Sequence, residues 1–225
     1  MAVSRHPRQG RHLEPGVVVG DRYDSYAELA AVEEEGVDYT RTVLDLPSTS
    51  WAAVAIHGGS IEEGSGELAL AVGDGLMATY VFAGIRSRHN SDLHITSVDF
   101  DDPQCLAVVG GADNTISFHG YTGPADEAET AVGGMDSDLA RAIATALANS
   151  GFTVTSGSRE ISGTNPRNIC NKNRRGAGVQ LELSQALRRS FFPGGDLSRA
   201  TRESGQRTQR FHDYVETVRS VVGAP

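Results

Sequence analysis

Four short apolar runs narrow the architecture of this chain before anything else does. WAAVAIH, ATYVFAGI, TISFHGY and GVQLELS are rich in β-branched, aromatic or small apolar residues and lie between glycine- and polar-rich stretches, as strands do. WAAVAIH carries no polar residue from Trp51 to Ile56, so both faces of that strand must be covered. DSDLARAIATALAN (136–149) supplies one cover: it starts on Asp and Ser, repeats apolar residues at i, i+3, i+4 and i+7, and stops at Gly151. Strands that alternate with helices imply an α/β fold, here one compact domain with a mixed twisted sheet flanked by helices. A length of 225 residues suits that single domain.

The remaining elements follow the same periodicities. YTRTVLDLP alternates as a half-buried strand does, and DLHITSVDF, CLAVVGGA and FTVTSGS are further strand candidates. Helices are expected through SYAELAAVEEE up to Gly36, through GELALAVGDGLM, and from about 207 to 222. Residues 1–20 are polar with Pro7, Gly10, Pro15 and Gly16 and read as a flexible lead-in to a domain spanning 21–225. Residues 193–206 read as an exposed loop.

A net charge of -9 argues against nucleic acid as a partner, because neutralising phosphates requires a basic face. No apolar run approaches the roughly 20 residues of a membrane span, and the basic start has no hydrophobic stretch behind it to make a signal peptide. The chain is expected to be cytoplasmic as synthesised and monomeric, with no membrane partner. Cys105 and Cys170 are too far apart for a CxxC-type metal site and are expected to be buried thiols.

Chemistry collects where strands end. In open α/β sheets functional residues gather at the carboxyl ends of strands, and both His57 and His119 end an apolar run and precede glycine. Glu62 follows His57 by five residues across a Gly-Gly-Ser turn. Two imidazoles and one carboxylate are a ligand set for catalytic zinc; equally, they are two unrelated histidines beside solvated glutamates. Glu182 shares a face of GVQLELS with Gln180 and Ser184, opposite Val179, Leu181 and Leu183. It is either a solvated residue of an edge strand or a general base in a core strand. NPRNICNKNRRGAG combines four asparagines, Asn168 and Asn171 among them, with Arg167, Lys172, Arg174 and Arg175; it is either a carboxylate-binding loop or a solvated polar one. SRHNSDLHITS adds Asn90 and His94 as substrate-binding or supporting groups.

Taken in order, AIHGGSIEEGSGELA, NSDLHITSVDFDDP, ISFHG, GGMD and NPRNICNKNRRGAGVQLELSQALR resemble the phage-type poly-γ-glutamate hydrolase family over roughly residues 21–222. The resemblance implies a fold similar to carboxypeptidase A and one Zn2+ per chain on His57, Glu62 and His119. It also implies Glu182 as the general base in cleaving γ-glutamyl amide bonds, with Arg174 and neighbouring asparagines holding the α-carboxylates of an anionic polymer. Alternatives are the γ-glutamyl links of peptidoglycan stem peptides, ordinary α-peptides, or a non-catalytic module that binds an anionic polymer. A phage-encoded enzyme released on lysis would need no export signal.

Overall fold

Successive residues of the WAAVAIH strand enter two different cores, which is why its apolar run is unbroken. The computed structural model describes residues 21–158 and 161–222; Ala53 and Ala55 face one apolar cluster, Val54 and Ile56 the other. The strands are β1 (Tyr39–Leu44), β2 (Trp51–Gly59), β3 (Ala78–Gly84), β4 (Asn114–Tyr121), β5 (Glu129–Gly134), β6 (Thr153–Ser156) and β7 (Val179–Ser184). The helices are α1 (Tyr26–Ala30), α2 (Ser65–Gly73), α3 (Pro103–Gly110), α4 (Ser137–Asn149), α5 (Gln185–Ser190), α6 (Arg199–Glu203) and α7 (Gln209–Val221).

All seven strands join one mixed sheet in the order β1-β3-β2-β4-β7-β5-β6. The central β3, β2, β4 and β7 run parallel, while β1 and β5 pair antiparallel to their inner neighbours. On one face α2, α4, α5 and α7 bury Leu68, Val72, Ile143, Leu147, Leu187, Tyr214 and Val218 against the sheet. On the other, α1, α3 and the 93–100 segment contribute Leu29, Leu93, Ile95, Phe100, Cys105 and Val109. The single α/β domain is therefore as expected, and both cysteines are buried free thiols. Among the described residues no helix is long and apolar enough to cross a membrane.

Several local expectations are corrected. CLAVVGGA lies in helix α3: the Asp102 carboxylate accepts the Gln104 N–H at 2.7 Å and Pro103 occupies the first turn, a start signal that outweighs the β-branched content. DLHITSVDF forms no ladder. Its backbone groups go to turns and single partners instead, the Ile95 carbonyl to His57, the Thr96 N–H to Asp21 and the Ser97 carbonyl to the Ile169 N–H, while Leu93, Ile95 and Phe100 close the second core. Helix α1 stops at Ala30, and Glu33 turns inward to meet Tyr23 and Arg86. The 193–206 segment contains α6, whose Arg202 is buried. Strand β5 and helix α5 were not anticipated; α5 follows β7 without a linker because the Ser184 hydroxyl accepts the Leu187 N–H. The lead-in expected over 1–20 lies outside the described residues.

Candidate metal centre

The ladder between β2 and β4 runs from Trp51↔Asn114 to Val54↔Ser117 and stops there. Beyond it β2 bulges against β3, since Ala55 pairs with Val81 but Gly58 with Ala83, one residue too many on β2. A bulge re-aims the side chain it contains, and here it presents His57 to His119 at the end of β4. Gly59 then adopts φ +65, with a Cβ there only 2.3 Å from the Gly84 carbonyl oxygen, so no other residue fits without displacing β3. The turn closes as the Glu62 N–H donates to the His57 carbonyl at 2.8 Å and the Ser65 hydroxyl to the Glu62 carbonyl at 2.8 Å. Glu62 is thereby folded back over the histidines.

Three ligand side chains converge. His57 Nδ1 lies 3.2 Å from His119 Nδ1 and 3.0 Å from Glu62 Oε1; His119 Nδ1 lies 3.4 Å from Glu62 Oε2. An ion with tetrahedral bonds of about 2.0–2.1 Å sets its ligands about 3.4 Å apart, close to the separations among these two nitrogens and the carboxylate. The far nitrogens orient the rings: His57 Nε2 reaches the Ile95 carbonyl at 2.9 Å and His119 Nε2 the Ser117 hydroxyl at 2.8 Å. A carbonyl can only accept, so His57 carries its proton on Nε2 and turns a lone pair on Nδ1 toward the centre. Glu62 is held from behind, its Oε2 accepting the Gly120 N–H at 2.9 Å.

Electrostatics match this convergence. Burial pulls His57 down, but the Glu62 carboxylate beside it and the Ile95 carbonyl outweigh burial and raise its pKa. Burial pushes Glu62 up, yet His57 and His119 hold it well below the usual carboxylate range. Glu182 is the exception: burial, with Glu62 adding to it, pushes its carboxyl up to about 7 against the pull of His119 and His57. Glu182 pairs with His119 on β4 and Ala131 on β5, so GVQLELS is an interior strand and not an edge.

Histidines, Glu62 and Glu182 line a cavity of about 680 Å³, closed by the Thr96–Val98 segment, Tyr121, Gln180 and the 161–166 loop. His94 lines it too, its ring stacked on His57 at 3.9 Å between centroids and its Nδ1 bonded to Asp21 at 2.7 Å. Repulsion from His57, then burial, brings the His94 imidazole down to about 4. None of the described lining residues is Arg or Lys. Arg174 sits at the opposite, amino-terminal end of β4, bonded to Asp113 at 2.7 Å. Asn171 is consumed by backbone groups of Gly163, Asn165, Met135 and Gly178, and Asn90 by both backbone groups of Arg86. Asn168 lines the cavity, but its amide is spent on Gln180 and Cys170.

Sequence reasoning did not single out Ser117, Gln180, Tyr121 or Asp21. Ser117 and Gln180 each precede a site residue by two positions on the same strand face, a signal that period-two reading offers. Asp21 and the Ile95 carbonyl left none, because tertiary placement alone brings them in.

A family profile described as Poly-gamma-glutamate hydrolase matches residues 23–217. The SPbeta prophage-derived protein YoqZ of Bacillus subtilis (strain 168) is 37% identical over 201 residues, covering 88% of this chain and 70% of that protein. The structure of a bacteriophage poly-gamma-glutamate hydrolase superposes with a TM-score of 0.84 at 35% identity, covering 89% of this chain and 96% of the other. A zinc-free, apo structure of YndL gives 0.80 at 33% identity with the same coverage; YndL belongs to the same Bacillus subtilis strain.

Proposed function

This chain belongs to the poly-γ-glutamate hydrolase family, and from that premise we propose that it is a zinc-dependent hydrolase of γ-glutamyl amide bonds. The observation that carries the reading is the convergence of His57 Nδ1, His119 Nδ1 and the Glu62 carboxylate: the two nitrogens lie 3.2 Å apart, with Oε1 3.0 Å from His57 and Oε2 3.4 Å from His119. Those three residues would hold the ion, which when bound supplies a Lewis acid that polarises the scissile carbonyl and acidifies water. Glu182 is the general base. Its carboxyl stands alongside in the same cavity and titrates near neutrality, so it can take a proton from water and return it to the leaving amine. His57 and His119 stay oriented through Ile95 and Ser117, and the Gly120 N–H keeps Glu62 from swinging away.

Among the described residues lining the cavity wall, hydroxyls, amides and backbone rather than Arg or Lys are available to substrate carboxylates. That wall favours a second reading, in which the γ-glutamyl link belongs to a peptidoglycan stem peptide with fewer free carboxylates than the polymer.

Metal content of the wild type and of His57→Ala, beside hydrolysis of poly-γ-glutamate and of γ-glutamyl stem peptides, tests both. About one zinc, lost with activity in the variant, is the expected result. Activity that survives complete zinc removal would overturn the mechanism, and turnover of stem peptide alone would select the second substrate.

A further inference from the structure

Gln180 precedes Glu182 by two residues on β7 and is 4% exposed. Its Nε2 lies 2.7 Å from Glu182 Oε1 and 3.3 Å from the Ile161 carbonyl, and its Oε1 lies 2.8 Å from Asn168 Nδ2. An amide can be turned end for end, so the direction of such a chain has to be argued from groups that have no choice. Both ends here are pinned by backbone. Asn168 Oδ1 accepts the Cys170 N–H at 3.0 Å, and an N–H can only donate. Asn168 Nδ2 is therefore a donor, Gln180 Oε1 its acceptor, and Gln180 Nε2 a donor in turn. At the other end the Ile161 carbonyl can only accept, which requires the same orientation of Gln180. Gly163, at φ +64, presses on this side chain: a Cβ there would lie 2.8 Å from that of Gln180.

Resting on the reading of Glu182 as the base, we propose that Gln180 is its positioning residue and that Asn168 sets the polarity of Gln180. The chain Asn168→Gln180→Glu182 holds Oε1 of the carboxylate as an acceptor and fixes the plane of the group. It leaves Oε2 as the oxygen that takes the proton. It also gives the NPRNIC loop a role in catalysis that involves no contact with substrate.

Gln180→Met, Asn168→Asp and Glu182→Gln test this in the zinc-loaded protein, with kcat and KM on poly-γ-glutamate and zinc content measured for each. Gln180→Met removes the donor at similar length. Asn168→Asp replaces the donor to Gln180 with an acceptor and adds a charge, which works against the present orientation of Gln180 and so weakens its hold on Glu182. Each is expected to lower kcat by about 10–100-fold, as loss of an orienting partner does, with KM within about twofold and zinc retained. Adding Gln180→Met to Glu182→Gln should cost nothing further, because both act through one group. A raised KM at unchanged kcat would make Gln180 a substrate contact and overturn the proposal, as would full kcat in Asn168→Asp. Should Gln180→Met not fold, the nearly isosteric Asn168→Asp decides alone. Full activity in Glu182→Gln would refute the base itself, a result separate from any failure of the positioning chain.

Discussion

The residue assigned to proton transfer is also one that the metal-free fold would be better without. Glu182 is 6% exposed and its carboxyl is pushed from 4.5 to about 7, chiefly by burial. That displacement corresponds to roughly 3 kcal/mol against the ionised form. The sign follows from proton occupancy: the folded chain keeps this proton to a higher pH than the unfolded chain. Stability is therefore whole below about pH 4.5 and is lost as pH rises through about 7. Glu182→Gln keeps the shape and an oxygen to accept the Gln180 N–H, and removes the ionisation. With zinc chelated, the variant should exceed the wild type by about 3 kcal/mol near pH 8, or roughly 6–12 °C in Tm for a chain this long. Near pH 4 the two should coincide. Added zinc should shrink the gain, because a nearby dication favours the carboxylate, while kcat falls about 10²–10⁴-fold. Urea unfolding of both proteins, with chelator and with zinc, across this pH range is the assay. Equal stability near pH 8, or a gain that does not change with pH, would refute the electrostatic origin.

Three further expectations can be checked with purified protein. Gly59→Ala combines a left-handed backbone with the 2.3 Å approach to Gly84 and should cost more than about 2 kcal/mol, and weaken zinc binding, in titrations of metal against unfolding controls. Gly75→Ala, also left-handed at φ +66 but with nothing within 4 Å, should cost only about 1 kcal/mol and leave the metal untouched. Arg202→Met strands Glu67, bonded to it at 2.8 Å and mostly buried, and should cost about 3–5 kcal/mol; pairing it with Glu67→Leu should recover most of that in a double-mutant cycle. Because Glu62 raises the His57 pKa in the metal-free chain, zinc must displace a proton from that pair. Calorimetry in buffers of different ionisation heat should detect proton release on zinc binding, and affinity should fall as pH drops; no buffer dependence would contradict the pairing.

How far the sequence was legible depended on where the determining contacts lie. β2, β4 and β7 were readable because burial on both faces, or alternation ending at a histidine or glutamate, is written in consecutive residues. α4 was readable from Asp136 and Gly151 at its ends. CLAVVGGA was misread because composition was weighed and the Asp102–Pro103 start was not. DLHITSVDF alternates for a different reason: its apolar residues plug the end of a core while its backbone serves Asp21 and His57, partners 38 or more positions away. Arg174 shows the limit of proximity in sequence. The loop that carries it runs from one end of the sheet to the other, so Asn168 reaches the cavity while Arg174, six residues on, lies at the opposite end.

The rung where β2 and β4 part company has a consequence for how the protein would tolerate loss of a bound ion. Val54–Ser117 is the last hydrogen-bonded step between them, and His57 and His119 stand beyond it, on the two prongs of a fork. An ion seated there would tie the prongs together without replacing a single backbone bond of the sheet. Both prongs are braced independently, β2 by β3 and β4 by β7. Emptying the fork should loosen the rim while the trunk stays knit, so that metal can come and go from a scaffold already assembled.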